Sequence, residues 1–232
     1  MINKELLYKN PLRLIESEVG DNFTQGRFGA VLARAGVGKT AFVMQIALYG
    51  LLRDKKILHI SLGAPIQKIS LWYEEVFRNI TTRFDAADTA KVWDTVQAHR
   101  FIMTFQQDRF DANVLEERLT DLTEQQIFKP HMIIVDGLYF DEAPVAQLTE
   151  LKALAKKLGV GIWFTARTHR EDRITDEALP ESFAPVADQF ETILALEPDG
   201  NEIHISVLKD EGTPLGRVPL QLDPATMLVK TG

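Results

Sequence analysis

Short apolar runs alternate with amphipathic stretches along most of the chain, beginning with "FGAVLA" (28–33) and the longer "TAFVMQIALYGLL" (40–52). That alternation predicts an α/β fold in which strands of a mostly parallel sheet are separated by helices. Further strands are predicted over 56–62, 101–105, 131–136 and 160–166. Leu115, Leu119 and Leu122 fall at one-face spacing in one intervening helix, and Leu148, Leu151, Leu154 and Leu158 do so in another. From Phe190 onward short apolar runs are joined by "PDGN", "DEGTPLG" and "DPAT", whose turn chemistry predicts antiparallel C-terminal strands that complete the sheet. The polar, aperiodic segment 170–185 is predicted to be a long loop.

Composition narrows the function. The chain has 232 residues, 45% hydrophobic and 25% charged, enough for one substantial core. We expect one domain over 26–232 after an N-terminal segment, 1–25. There are no cysteines, which excludes disulfides, thiolate nucleophiles and cysteine-ligated metals. No stretch has the pattern of a signal peptide or the length of a membrane span, so a cytoplasmic protein without a membrane partner is expected. A net charge of −7 weighs against a broad nucleic-acid surface, although it leaves room for a local basic channel. The histidines at 59, 99, 131, 169 and 204 have no metal-ligand spacing.

The chemistry concentrates in "ARAGVGKT" (33–40), between a predicted strand and a predicted helix. In that context main-chain N–H groups of Ala35, Gly36, Val37 and Gly38 can wrap phosphates, aided by the positive end of the helix dipole. Lys39 can reach the β- and γ-phosphates, and Thr40 can ligate Mg²⁺. The usual leading glycine of such a loop is replaced by Ala33. A second element, "HMIIVDG", ends in Asp136 where a strand should emerge at the carboxyl edge of the sheet. There it can hold the metal opposite Thr40.

"ARAGVGKTAFVMQIA", "ILHISLGAP", "HMIIVDGL", "LTELKALAKKLGVGIWFTARTHR" and "VLKDEGTPLGRVPLQL" occur in the order found in the RecA-like core of DnaB-type replicative helicases. The chain resembles that core over roughly residues 25–230, and more distantly KaiC and RadA-like ATPases. The resemblance implies a RecA-like P-loop NTPase fold, with ATP and Mg²⁺ as ligands of Lys39, Thr40 and Asp136. It also makes Ala33 unsurprising, since those helicases likewise carry Ala-Arg at this point. Residues 1–25 are too few to hold the helicases' amino-terminal domain.

Three positions depart from the family pattern. Where it has a glutamate that polarises water, this chain has Gly63. Glu74, Glu75, Asp141 and Glu142 are possible replacements, though each also reads as a surface charge. The polar sensor position carries Arg167, which can contact the γ-phosphate or pair with an acidic neighbour. The Lys-x-Arg that reaches a neighbouring subunit's nucleotide reads Lys209-Asp210-Glu211. An arginine finger contributes about 10³–10⁵ in rate and a positioned base about 10²–10⁴, so weak or lost hydrolysis is expected. Segment 171–185, with five acids and one arginine, should repel a phosphate backbone. Trp72, Tyr73 and Phe77 can stack on bases, but they also read as an apolar helix face. The expected protein is a nucleotide-responsive regulatory or assembly module, partnered by its own copies or by another RecA-like ATPase. An active DNA-stimulated ATPase is the alternative.

Overall fold

The structure is a computed structural model and describes residues 2–13, 26–140, 145–168, 179–210 and 216–232. Its strands are β1 (Phe28–Ala33), β2 (Ile57–Ser61), β3 (Arg100–Thr104), β4 (Met132–Asp136), β5 (Gly161–Arg167), β6 (Thr192–Asp199), β7 (Glu202–Lys209), β8 (Gly216–Leu222) and β9 (Val229–Thr231). They form one nine-stranded sheet in the order β3-β2-β4-β5-β1-β6-β7-β8-β9. Every pairing from β3 across to β6 is parallel, and the β6–β9 meander is antiparallel. The mixed α/β fold with antiparallel C-terminal strands therefore matches the hydrophobic pattern, with strand ends differing by about one residue, as fraying ends do.

Helices cover both faces. On one lie α1 (Ile2–Lys9), α2 (Lys39–Leu51), α3 (Ile66–Thr81) and α4 (Ala86–Ala98); on the other lie α5 (Ala112–Glu124), α6 (Val145–Leu158) and a short 3₁₀ turn, Ala184–Gln189. The central helix α2 is buried along Phe42–Leu51, which explains its nearly unbroken apolar sequence. Helix α3 is amphipathic instead, burying Ile69, Tyr73, Val76 and Phe77. Asp85 caps α4 by accepting from Ala87 N at 2.9 Å, and Asp111 caps α5 by accepting from Val114 N at 2.8 Å.

One expectation needs correction. Segment 170–185 is not loop to its end: Phe183 is buried and the chain enters the 3₁₀ turn at Ala184, because the aromatic ring packs against Phe140 and Phe190. The acidic stretch 171–178 lies outside the described residues. Segment 1–25 contains α1, which buries Leu6 and packs on α4. Among the described residues no helix is long and apolar enough to cross a membrane.

Candidate functional site

The parallel strands bring their carboxyl ends to one edge of the sheet, and Lys39, Thr40, Asp136 and Arg167 gather there. Ala33 ends β1 beside Arg167 at the end of β5, and Ser61 at the end of β2 pairs with Asp136 at the end of β4. Between β1 and α2 the chain makes the 34–38 loop. Gly36 and Gly38 have φ of 81° and 109°, the left-handed region that favours glycine. At Gly38 a Cβ would also lie 2.7 Å from Leu222 Cδ2, so the loop is pinned against β8. Ala33 is a buried strand residue without positive φ, and an alanine in the leading-glycine position therefore costs no strain.

Lys39 opens α2 and turns back over the loop, donating to the carbonyls of Ala33 at 2.8 Å and Arg34 at 2.9 Å. Burial lowers its pKa to about 8; the Asp136 carboxylate opposes that shift and the Arg167 guanidinium adds to it. The next residue, Thr40, donates its hydroxyl to Asp136 Oδ2 at 3.0 Å. Thr165 on β5 donates to Asp136 Oδ1 at 2.6 Å and accepts from Gly137 N at 3.0 Å. Asp136 is thus a buried carboxylate oriented by two hydroxyls from neighbouring elements. Thr165 was not among the sequence candidates, since a threonine inside a β-rich run signals only strand propensity.

The arrangement presents a lysine, a hydroxyl, a carboxylate and a helix N-terminus to one point, which suits an anionic ligand accompanied by a hard cation. Thr40 and Asp136 offer two oxygen donors. Among the described residues no cluster of three or more His, Asp or Glu side chains could cage a metal alone. That donor set fits Mg²⁺, which keeps waters and phosphate oxygens in its shell, better than a cation needing a full protein cage.

The other candidates are distributed unequally. Arg167 is exposed and, among the described residues, makes no ion pair. Gly63 lies just past β2, its N–H 3.7 Å from where a Cβ on Gly137 would sit. A Cβ on Gly63 itself would meet no atom within 4 Å, and its φ is not positive. A side chain would therefore fit there. Lys209 ends β7, which runs antiparallel to β6, so it lies at the sheet edge opposite the 34–38 loop and donates to Ala187 O at 2.9 Å. Glu74 and Glu75 are exposed on α3; Asp141, Glu142, His169 and Glu211 lie outside the described residues. Tyr73 and Phe77 are buried in the core, whereas Trp72 is half-buried.

Tyr73 meets His59, buried in β2, through a 2.9 Å contact between its hydroxyl and Nδ1, and Arg100 lies 4.6 Å from the tyrosine ring centroid. Burial lowers the His59 pKa to about 4 and raises that of Tyr73. The imidazole is therefore neutral at neutral pH, and among the described residues its Nε2 has no hydrogen-bond partner.

No protein-family model matches this chain, and no curated protein matches it.

Proposed function

We propose that the chain is a Mg²⁺-dependent ATP-binding protein of the RecA-like type whose own hydrolysis is weak or lost, acting as a nucleotide-responsive regulatory or assembly module. The observation that carries this reading is the Thr40–Asp136 contact at 3.0 Å, directly after the 34–38 loop and its lysine. Two residues nearly a hundred positions apart meet where the motif chemistry needs both. Thr40 and Asp136 would hold Mg²⁺, which supplies charge neutralisation to the phosphates. Lys39 would exchange its loop carbonyls for phosphate oxygens, and the main-chain N–H groups of residues 35–38 would complete the cradle.

Weak hydrolysis is supported by Gly63, which brings no carboxylate to the edge of β2, and by Glu211 in place of a cation. A role in assembly, with a second copy or another RecA-like ATPase, is supported by Lys209. From the opposite sheet edge it serves a neighbour's phosphates more readily than its own. The competing reading, an active DNA-stimulated ATPase of replication, recombination or repair, draws on exposed Arg167 near Lys39.

Titration of the full chain with ATP and Mg²⁺, following binding and phosphate release together with and without single-stranded DNA, tests the proposal. Binding without release, lost in Lys39→Ala, is expected. DNA-stimulated release would give first place to the competing reading, and no binding would end both.

A further inference from the structure

The sheet face beneath α2 and α3 is mostly apolar, with Ile57, Ile134 and Trp163 in one core with Phe42, Ile69 and Val76. A file of polar side chains crosses it. Ile57 pairs with Arg100 across β2 and β3, and Ser61 pairs with Asp136 across β2 and β4. Residues two positions apart on a strand share a face. His59, midway between Ile57 and Ser61, therefore stands diagonally between Arg100 on one side and Asp136 on the other. Asp136 in turn accepts from Thr165 on β5. The four adjacent strands β3, β2, β4 and β5 thus each give this face a polar group, in one continuous line.

The middle of the file is bound to α3. His59 and Tyr73 are both fully buried, with Nδ1 2.9 Å from the tyrosine hydroxyl and the two rings edge to face at 5.5 Å. The Arg100 guanidinium lies 4.6 Å from the Tyr73 ring centroid and 5.5 Å from that of Trp93 on α4. Among the described residues, His59 Nε2 and one terminal nitrogen of Arg100 are buried without a hydrogen-bond partner. A buried polar network left half satisfied is costly, and small changes of charge can rearrange its protons. Burial acts most strongly on the imidazole, but of the charges around it Asp136 favours a proton there and Arg100 disfavours one. The field running from Arg100 to Asp136 favours the tautomer with its proton on Nε2, in which Tyr73 donates to Nδ1.

We infer that His59 and Tyr73 are the response element of the candidate site: when a bound cation neutralises the Asp136 carboxylate, His59 changes tautomer and α3 repacks on β2 through Tyr73. One proton leaves Nε2 and one arrives at Nδ1, so the ring stays neutral. Nδ1 then donates to the tyrosine oxygen, and the hydrogen of Tyr73 turns away. The inference rests on the nucleotide-binding reading and names the part of the chain that responds to the ligand. A ligand shifts such an equilibrium only through its different interaction with the two states, and here that difference is the charge at Asp136. By linkage, whatever holds α3 in the second arrangement also tightens binding.

Nitrogen-15 spectra of the histidine rings in the full chain test this, because the two tautomers give distinct signals, and His59→Phe identifies the resonances. Mg·ATP should carry the His59 signals from the Nε2–H to the Nδ1–H pattern. Asp136→Asn, which removes the same charge without a ligand, should do so unaided. Hydrogen exchange reads the next step: Mg·ATP should change amide exchange over residues 69–77 by about 5- to 150-fold in the unchanged protein. Tyr73→Phe keeps the ring without the hydroxyl, so it should bind Mg·ATP yet lose that change. A His59 signal unmoved by bound Mg·ATP would overturn the inference while leaving the phosphate site standing. A shift that Asp136→Asn fails to reproduce, or an α3 response undiminished in Tyr73→Phe, would overturn it equally. Failure of the unchanged protein to bind Mg·ATP would remove the phosphate site and its response element together.

Discussion

The end of β1 and the end of β2 lie at the same edge of one sheet and are furnished in opposite ways. After β1, Lys39, Thr40 and, across the gap, Asp136 and Thr165 are all held by hydrogen bonds of 2.6–3.0 Å. After β2 the chain offers Gly63 and a shallow recess lined by residues such as Ala64 and Pro65. A preorganised cluster costs little to align when a ligand arrives, whereas a glycine can position no water. Under the proposed function, gripping a phosphate and cutting it need different residues, and among the described residues only the end of β1 carries a hydrogen-bonded polar cluster of this kind.

The largest expected effect comes from filling the poor side. Because a side chain at Gly63 meets no obstruction, Gly63→Glu should fold normally and raise ATP turnover by about 10²- to 10⁴-fold, measured as phosphate release. An unchanged rate in a variant that still binds ATP would mean that the deficit lies elsewhere, for instance at Glu211.

Acid should act next, and on the β2 side. The folded-state pKa of His59 lies near 4 against 6.5 when unfolded, so between those values the unfolded chain binds the extra proton. Stability should therefore fall as pH drops through that window, by about 3 kcal/mol in all. Denaturant midpoints from pH 7 to 4 check this, and His59→Phe should lose that component.

The two glycines sharpen the comparison further. Gly38→Ala forces a left-handed backbone and a contact at 2.7 Å, and should cost about 1–3 kcal/mol. Gly63→Ala should remain within about 0.5 kcal/mol of the unchanged protein. Thermal unfolding of both variants decides it; equal losses would remove the claim that only one glycine is structural.

The smallest effect belongs to alkali and to the β1 side. Phosphate binding needs protonated Lys39, and bound phosphate raises its pKa, so affinity should be level below pH 7 and fall roughly tenfold per unit once pH passes about 8. ATP binding isotherms from pH 7 to 9.5 test the slope; affinity that stays level across that range would show that Lys39 is not the titrating group.

Much of this was legible along the chain because it is local. Alternating apolar runs marked the parallel strands, turn residues marked the meander, and "ARAGVGKT" marked the loop with Asp136 as its distant partner. Other features left no local trace. Thr165 reads as any strand threonine, and Gln45 as a stray polar residue in an apolar helix, until β5 and the β8–β9 turn come beside them. Trp72 reads as part of an apolar helix face, and only the packing of α3 separates it from buried Tyr73. Helix α1 went unpredicted because its buried leucine has a partner only once α4 is present.

By itself, then, the sequence determined the succession of strands and helices from β1 onward and the place of the glycine-rich 34–38 loop with its lysine, since periodicity and turn preference depend on residues within a few positions of each other. The tertiary structure alone decided that Thr40 meets Asp136, that Lys209 lies at the far edge, and that His59 meets Tyr73 between Arg100 and Asp136. Those outcomes depend on strand order and on which helix faces are buried together, and packing between distant segments sets both.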